Sequence, residues 1–139
     1  MKVVIDASVV VKWAVPEPHH VEARALRDDH LRGEISAVAP PCLWLEVASA
    51  LRKYAVRGLM KAERAVEAMR LLRETGVEVV EPDLPRVLEE SFKLGVTVYD
   101  AAYLVLAEEL DAPFYTADEK LLRHHKARHI REYRSQEKL

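Results

Sequence analysis

Asp6, Glu46, Asp100 and Asp118 stand beside or inside apolar runs, in VVIDASVVV, LWLEVASAL, VYDAAYLVLA and FYTAD. A carboxylate in such surroundings is costly unless it is paired or bound to a cation. Gathered without a counter-charge, the four would repel and raise one another's pKa, whereas Mg²⁺ or Mn²⁺, which favour oxygen ligands, would hold them ionised. The chemistry these residues point to is that of a divalent cation in a carboxylate site.

Each acid also has a plainer use. Asp6 and Asp118 fall where helices begin and could cap them, with Thr116 and Glu119 offering a box-like pair around Asp118. Thr97 and Asp100 have the spacing of a capping box, with Asp in place of the usual Glu or Gln. Glu46 could face solvent or pair with Lys53 about two turns further along. Four separate explanations in one small chain are less economical than one shared site.

The elements that would have to build that site can be read from periodicity. Val3, Val4 and Ile5 are β-branched without alternation, the pattern of a strand covered on both faces, and residues 9–11 open a short helix after Asp6. Residues 19–32 form an amphipathic helix ended by Gly33, and residues 35–39 a second strand. A helix with Pro41 in its first turn runs to Arg57, and another covers 61–74. A third strand is expected at 77–80, then helices at 85–94 and 97–110. A strand at 114–116 and a brief helix at 119–125 follow, and the tail from Lys126 offers a final strand or an exposed end. Strands alternating with helices specify an α/β fold with a mainly parallel sheet, in which ligands bind at the carboxyl ends of the strands. Asp6 and Asp118 both follow strands, and Glu46 and Asp100 both lie early in helices, so the four are expected to converge on one edge.

Composition narrows the function classes. The chain has 139 residues and 21 basic against 23 acidic side chains, for a net charge of −2, so it is no general magnet for nucleic acid, and a polyanionic substrate would need a local basic surface or metal. Cys42 is the only cysteine, which excludes an intrachain disulfide and a cysteine-rich zinc site; a small buried residue is expected there. No apolar run reaches the roughly 18 residues of a membrane span, and a cytoplasmic protein is expected. Asn is absent and Gln136 is the only glutamine, while Glu, Arg and Lys abound, which sets the expectation of a thermophilic source.

In their order and spacing, VVIDASV, LWLEVASAL, VYDAAYLVLA and YTAD resemble the PIN-domain ribonucleases, particularly the VapC-type toxins of prokaryotes, over nearly the whole chain. The resemblance implies one PIN-like domain over 1–139, a five-stranded mainly parallel sheet in the order 3-2-1-4-5 flanked by helices, and metal-dependent hydrolysis of RNA phosphodiester bonds with Mg²⁺ or Mn²⁺. Cleavage leaving a 5′-phosphate and a 3′-hydroxyl, a homodimer or higher homo-oligomer, and a cognate antitoxin follow in the same way. Carried over by position, Asp6, Glu46, Asp100 and Asp118 match the acidic metal site, Thr116 the hydroxyl residue beside the last acid, and Ser8 the residue after the first. Glu119 competes with Asp118 for the last place, and Asp118 is preferred.

Lys12, Arg52, Lys120 and Arg123 are the basic residues assigned to substrate, whereas His124, His125 and His129 are taken as surface residues. An aspartyl-phosphate phosphatase is disfavoured, because it would need a second Asp two places after the first, where Ser8 stands. A non-catalytic PIN-like module that binds protein or RNA is the other alternative. The exposed sides of the helices at 41–57 and 61–74 are expected to pack on the domain itself or to meet a partner.

Overall fold

The structure is a computed structural model and describes residues 1–135; the last four residues of the expected domain lie outside the described residues. Its sheet has five strands in the order β3-β2-β1-β4-β5, every pair parallel. β1 (Lys2–Ile5) is central because Val3, Val4 and Ile5 are wholly buried and tolerate cover on both faces. It pairs with β2 (Ser36–Ala39) through Val3 opposite Ala37, and with β4 (Phe114–Thr116) through Ile5 opposite Tyr115. β3 (Glu78–Val79) and β5 (Ala127–His129) form the edges.

Six helices flank this sheet: α1 (Ala7–Ala14), α2 (His20–Leu31), α3 (Leu43–Val56), α4 (Ala62–Arg73), α5 (Leu84–Leu94) and α6 (Val98–Leu110). α1 packs against α2, α3 and α4, while α6 packs on β1 and α5. Ala101 to Ala107 are all buried, so the middle of α6 is enclosed on every side, as its unbroken apolar run requires. α4 instead leaves Val66 and Leu71 more than half exposed.

Boundaries depart from expectation in several places: β3 is shorter than 77–80, the helix expected over 119–125 is a 3-10 helix at Glu119–Arg123, and two further departures concern α3 and the tail. α3 begins at Leu43 rather than at Pro41, because Pro40 and the next two residues make a turn closed by Leu43 N–H on the Pro40 carbonyl, at 3.1 Å. Among the described residues the tail carries regular structure. β5 pairs with β4, a 3-10 turn follows at Ile130–Glu132, and Tyr133 donates its hydroxyl to the fully buried Asp29 at 2.5 Å. That anchor gives residues 127–133 a fixed place, which periodicity could not reveal.

Candidate metal centre

β1 and β4 are parallel neighbours, so their carboxyl ends deliver Asp6 and Asp118 to the same edge of the sheet. Asp6 is both the cap of α1 and a site residue. Its Oδ1 accepts the Ser8 amide at 3.1 Å and the Ser8 hydroxyl at 2.5 Å, and its Oδ2 accepts the Thr116 hydroxyl at 2.6 Å. Ser8 Oγ in turn accepts the Ala117 amide at 2.9 Å, and Thr116 Oγ1 accepts the Asp118 amide at 3.0 Å. The two hydroxyls thus stitch the exit of β4 to the first turn of α1. Burial pushes the Asp6 carboxyl up to about 6; the Ser8 and Thr116 hydrogen bonds oppose this and the charge of Glu46 adds to it.

Glu46, in the first turn of α3, is partly buried and accepts the Tyr103 hydroxyl at 2.7 Å, not an ion pair with Lys53. Burial, then the charges of Glu46 and Cys42, and more weakly that of Asp6, drive the Tyr103 hydroxyl far above its ordinary pKa, so it remains a proton donor. Tyr103 lies one turn beyond Asp100 on α6 and joins Glu46 to that helix. Sequence reading missed it, although it is the single hydroxyl in the apolar run AAYLVLA. Cys42, at the start of α3, is half-buried rather than enclosed; burial and Glu46 push its thiol up to about 11.

Asp100 makes half of the expected capping box. Its amide donates to Thr97 Oγ1 at 3.0 Å, but its carboxylate turns to Lys120, with Oδ2 at 3.6 Å from Nζ. Asp118 holds the same ammonium at 3.5 Å and caps the 3-10 turn Glu119–Arg123 by accepting the Lys120 amide at 3.1 Å. The two carboxylates raise the pKa of the Lys120 ammonium, Asp118 more than Asp100. Glu119 points elsewhere, to Arg131 at 3.2 Å.

The four acids are therefore linked in one circuit. Thr116 joins Asp6 to Asp118, Lys120 joins Asp118 to Asp100, and Tyr103 joins the helix of Asp100 to Glu46. Among the described residues, only Glu108, His124 and His125 form a group of possible ligand atoms all within 4.8 Å of one another. The donor set nonetheless fits a hard cation: all oxygen, with a buried carboxylate of raised pKa and a cationic side chain already drawn between two of the acids.

The Glu108 group does not fit a metal in the same way. His124 Nδ1 accepts the Lys126 amide at 3.1 Å, so in the neutral ring the proton sits on Nε2, 2.6 Å from Glu108, and leaves no lone pair there for a metal. The expectation that the three histidines are superficial is corrected by their placement. The side chain of His124 and the whole of His129 are buried, and only His125 is exposed.

Of the basic residues assigned to substrate, Lys120 touches the acids and Arg123 lies in the same turn. Lys12 is a correction: it is buried in α1, its ammonium 3.1 Å from Glu17, because Glu17 supplies the counter-charge that lets a lysine enter the core. Arg52 is exposed on α3, about 9 Å of helix rise from Glu46, and lines a groove with Arg70 and Arg73 of α4. The structure does not bring it to the acids.

Known proteins resemble the chain over most of its length. The sequence model of the PIN domain matches residues 3–127. Ribonuclease VapC3 of Pyrobaculum aerophilum is 35% identical over 126 residues, covering 87% of this chain and 92% of that protein. Ribonuclease VapC1 of Mycobacterium tuberculosis is 36% identical over 120 residues, covering 85% and 86%. The crystal structure of PAE2754 from Pyrobaculum aerophilum superposes with a TM-score of 0.74 over 94% of this chain and 92% of its own, at 22% identity, a likeness of fold.

Proposed function

The chain belongs to the PIN domain family, and from that membership we propose that it is a VapC-type endoribonuclease that hydrolyses RNA phosphodiester bonds with Mg²⁺ or Mn²⁺ held by Asp6, Glu46, Asp100 and Asp118. The observation that carries the reading is the Lys120 ammonium suspended between Asp100 and Asp118, at 3.6 and 3.5 Å, at the strand edge where Asp6 is anchored. A positive charge is what this arrangement of carboxylates takes.

A divalent ion held there would supply an activated water and neutralise charge developing on the phosphate. The protein's own part is positional. Thr116 and Ser8 fix both oxygens of Asp6, Tyr103 fixes one oxygen of Glu46, and the cap at Asp118 Oδ1 sets the direction of Oδ2, which faces Lys120. Lys120 and Arg123 supply the local positive charge that a chain of net charge −2 otherwise lacks for binding RNA.

The same reading assigns the whole chain to one cytoplasmic domain with a cognate antitoxin. No helix among the described residues is long and apolar enough to cross a membrane. Leu59 and Leu71, beside an apolar groove rimmed by Arg27, Lys61 and Arg64, favour a protein partner, and exposed Phe92 and Tyr99 favour a second copy of the chain.

Thermal stability against Mn²⁺ and Mg²⁺, for the natural protein and Asp100→Asn, tests the site, with cleavage of single-stranded RNA as the second readout. A saturable rise abolished by the substitution, together with RNA cleavage, is expected. No rise at millimolar metal would leave the acids as helix caps and the protein as a binding module.

A further inference from the structure

Lys120 belongs to two environments at once. Its ammonium reaches Asp100 and Asp118, and its side chain also lines a groove of about 450 Å³ with Lys93, Arg123 and His125 over an apolar floor that includes Leu104 and Leu121. The groove is cationic where the neighbouring site is anionic. The Arg123 side chain makes no ion pair or hydrogen bond among the described residues, and the Lys93 ammonium has only Glu90, at 4.0 Å. The exposed His125 ring stacks on His124, which Glu108 and the Lys126 amide hold in place.

We propose that Lys120 is an exchangeable counter-ion, which balances Asp100 and Asp118 while they hold no divalent cation and swings into the adjoining basic groove to bind an RNA phosphate once they do. Three features support the exchange. The contacts at 3.5 and 3.6 Å are ion pairs without close hydrogen-bond geometry, and the side chain is 63% exposed, so leaving the acids costs little. The backbone of Lys120 is fixed by the hydrogen bond its N–H donates to Asp118 Oδ1, so only the flexible side chain has to move. One positive charge between two carboxylates leaves one negative charge over, which a divalent ion would remove.

The freed ammonium then joins Lys93 and Arg123 around a groove suited to a polyanion, with His125 as a ring on which a base can stack. The inference rests on the metal-dependent reading above and adds a consequence to it. Metal and RNA each favour the other's binding, because both draw on the same lysine.

The test uses the full chain as wild type, Lys120→Met, Lys120→Gln and Arg123→Met. Mn²⁺ alone is titrated by calorimetry, and binding of a labelled single-stranded oligouridylate is measured in EDTA and in Ca²⁺. Both Lys120 variants should bind Mn²⁺ about fivefold or more tighter than wild type, whereas Arg123→Met should stay within about twofold. Wild type should bind the RNA more tightly in Ca²⁺ than in EDTA, and the Lys120 variants should lose that gain. Unchanged Mn²⁺ affinity in the Lys120 variants would overturn the exchange while leaving the metal site intact. Tighter Mn²⁺ binding with an unaltered RNA gain would overturn it too, by removing the phosphate destination. A wild type that binds no Mn²⁺ overturns both the exchange and the metal-dependent reading.

Discussion

Thr116 gives its hydroxyl proton to Asp6 Oδ2 at 2.6 Å and takes the amide of Asp118 at 3.0 Å, so one wholly buried side chain sets the positions of the first and last acids. Thr116→Val keeps the shape and removes both bonds. It should destabilise the protein by about 1–3 kcal/mol, the cost of leaving buried polar groups unpaired, and weaken Mn²⁺ binding as well. Chemical denaturation and metal titration of the variant check this; a loss of stability with full metal affinity would reduce Thr116 to a packing residue.

Asp6 makes metal-free stability depend on pH in a direction opposite to that of a salt-bridged acid. Its folded pKa is about 6 against an ordinary 3.8, so between these values the folded state binds more protons than the unfolded one. Its contribution is fully present below pH 3.8 and is lost as pH rises through about 6. At roughly 1.4 kcal/mol per pKa unit, the loss is on the order of 3 kcal/mol. Subtracting the pH profile of Asp6→Asn from that of the natural protein, both in EDTA, isolates the effect. A difference that grows in favour of wild type across that window would contradict it.

Tyr103→Phe removes the donor to Glu46 and nothing else of size. Without that bond at 2.7 Å the carboxylate is free to rotate, so metal affinity and RNA cleavage should both fall, with cleavage about tenfold slower. The expected change in stability is about 1 kcal/mol. Cleavage at natural rate in this variant would show that Glu46 needs no positioning.

Lys12 separates structure from substrate contact. Its buried pair with Glu17, which also accepts the Tyr54 hydroxyl, ties α1 to α3. Lys12→Met should lower stability by about 3 kcal/mol, because it strands Glu17 with only the tyrosine, while RNA affinity per folded molecule stays at the natural value. A selective loss of RNA affinity would return Lys12 to the substrate surface.

Much of this was legible from residue types alone. The unbroken β-branched run at Val3 to Ile5 specified the central strand, and Asp6 directly after it specified the edge. Asp6, Asp100 and Asp118 made site and cap look like alternatives, yet in the structure Asp6 and Asp118 cap with Oδ1 and turn Oδ2 to Thr116 and to Lys120, and Asp100 is capped through its amide alone. A carboxylate has two oxygens, and that is why the two readings do not compete.

What stayed hidden depends on how the chain brings partners together. Nothing in the sequence shows that Glu17 will turn back to meet the Lys12 ammonium, and nothing in the tail shows that Tyr133 will find Asp29. Lys120 could be read as basic, but its place between two acids comes from α6 and the turn after β4 meeting in space. Periodicity describes faces of elements; it is silent about which side chain from another element meets them.

The bond from Thr116 to Asp6 closes across 110 positions of the chain. At cellular elongation rates those residues take about 5 to 20 seconds to make, and the first acid waits that long for the last. A site that needs this bond cannot close until Thr116 has been made.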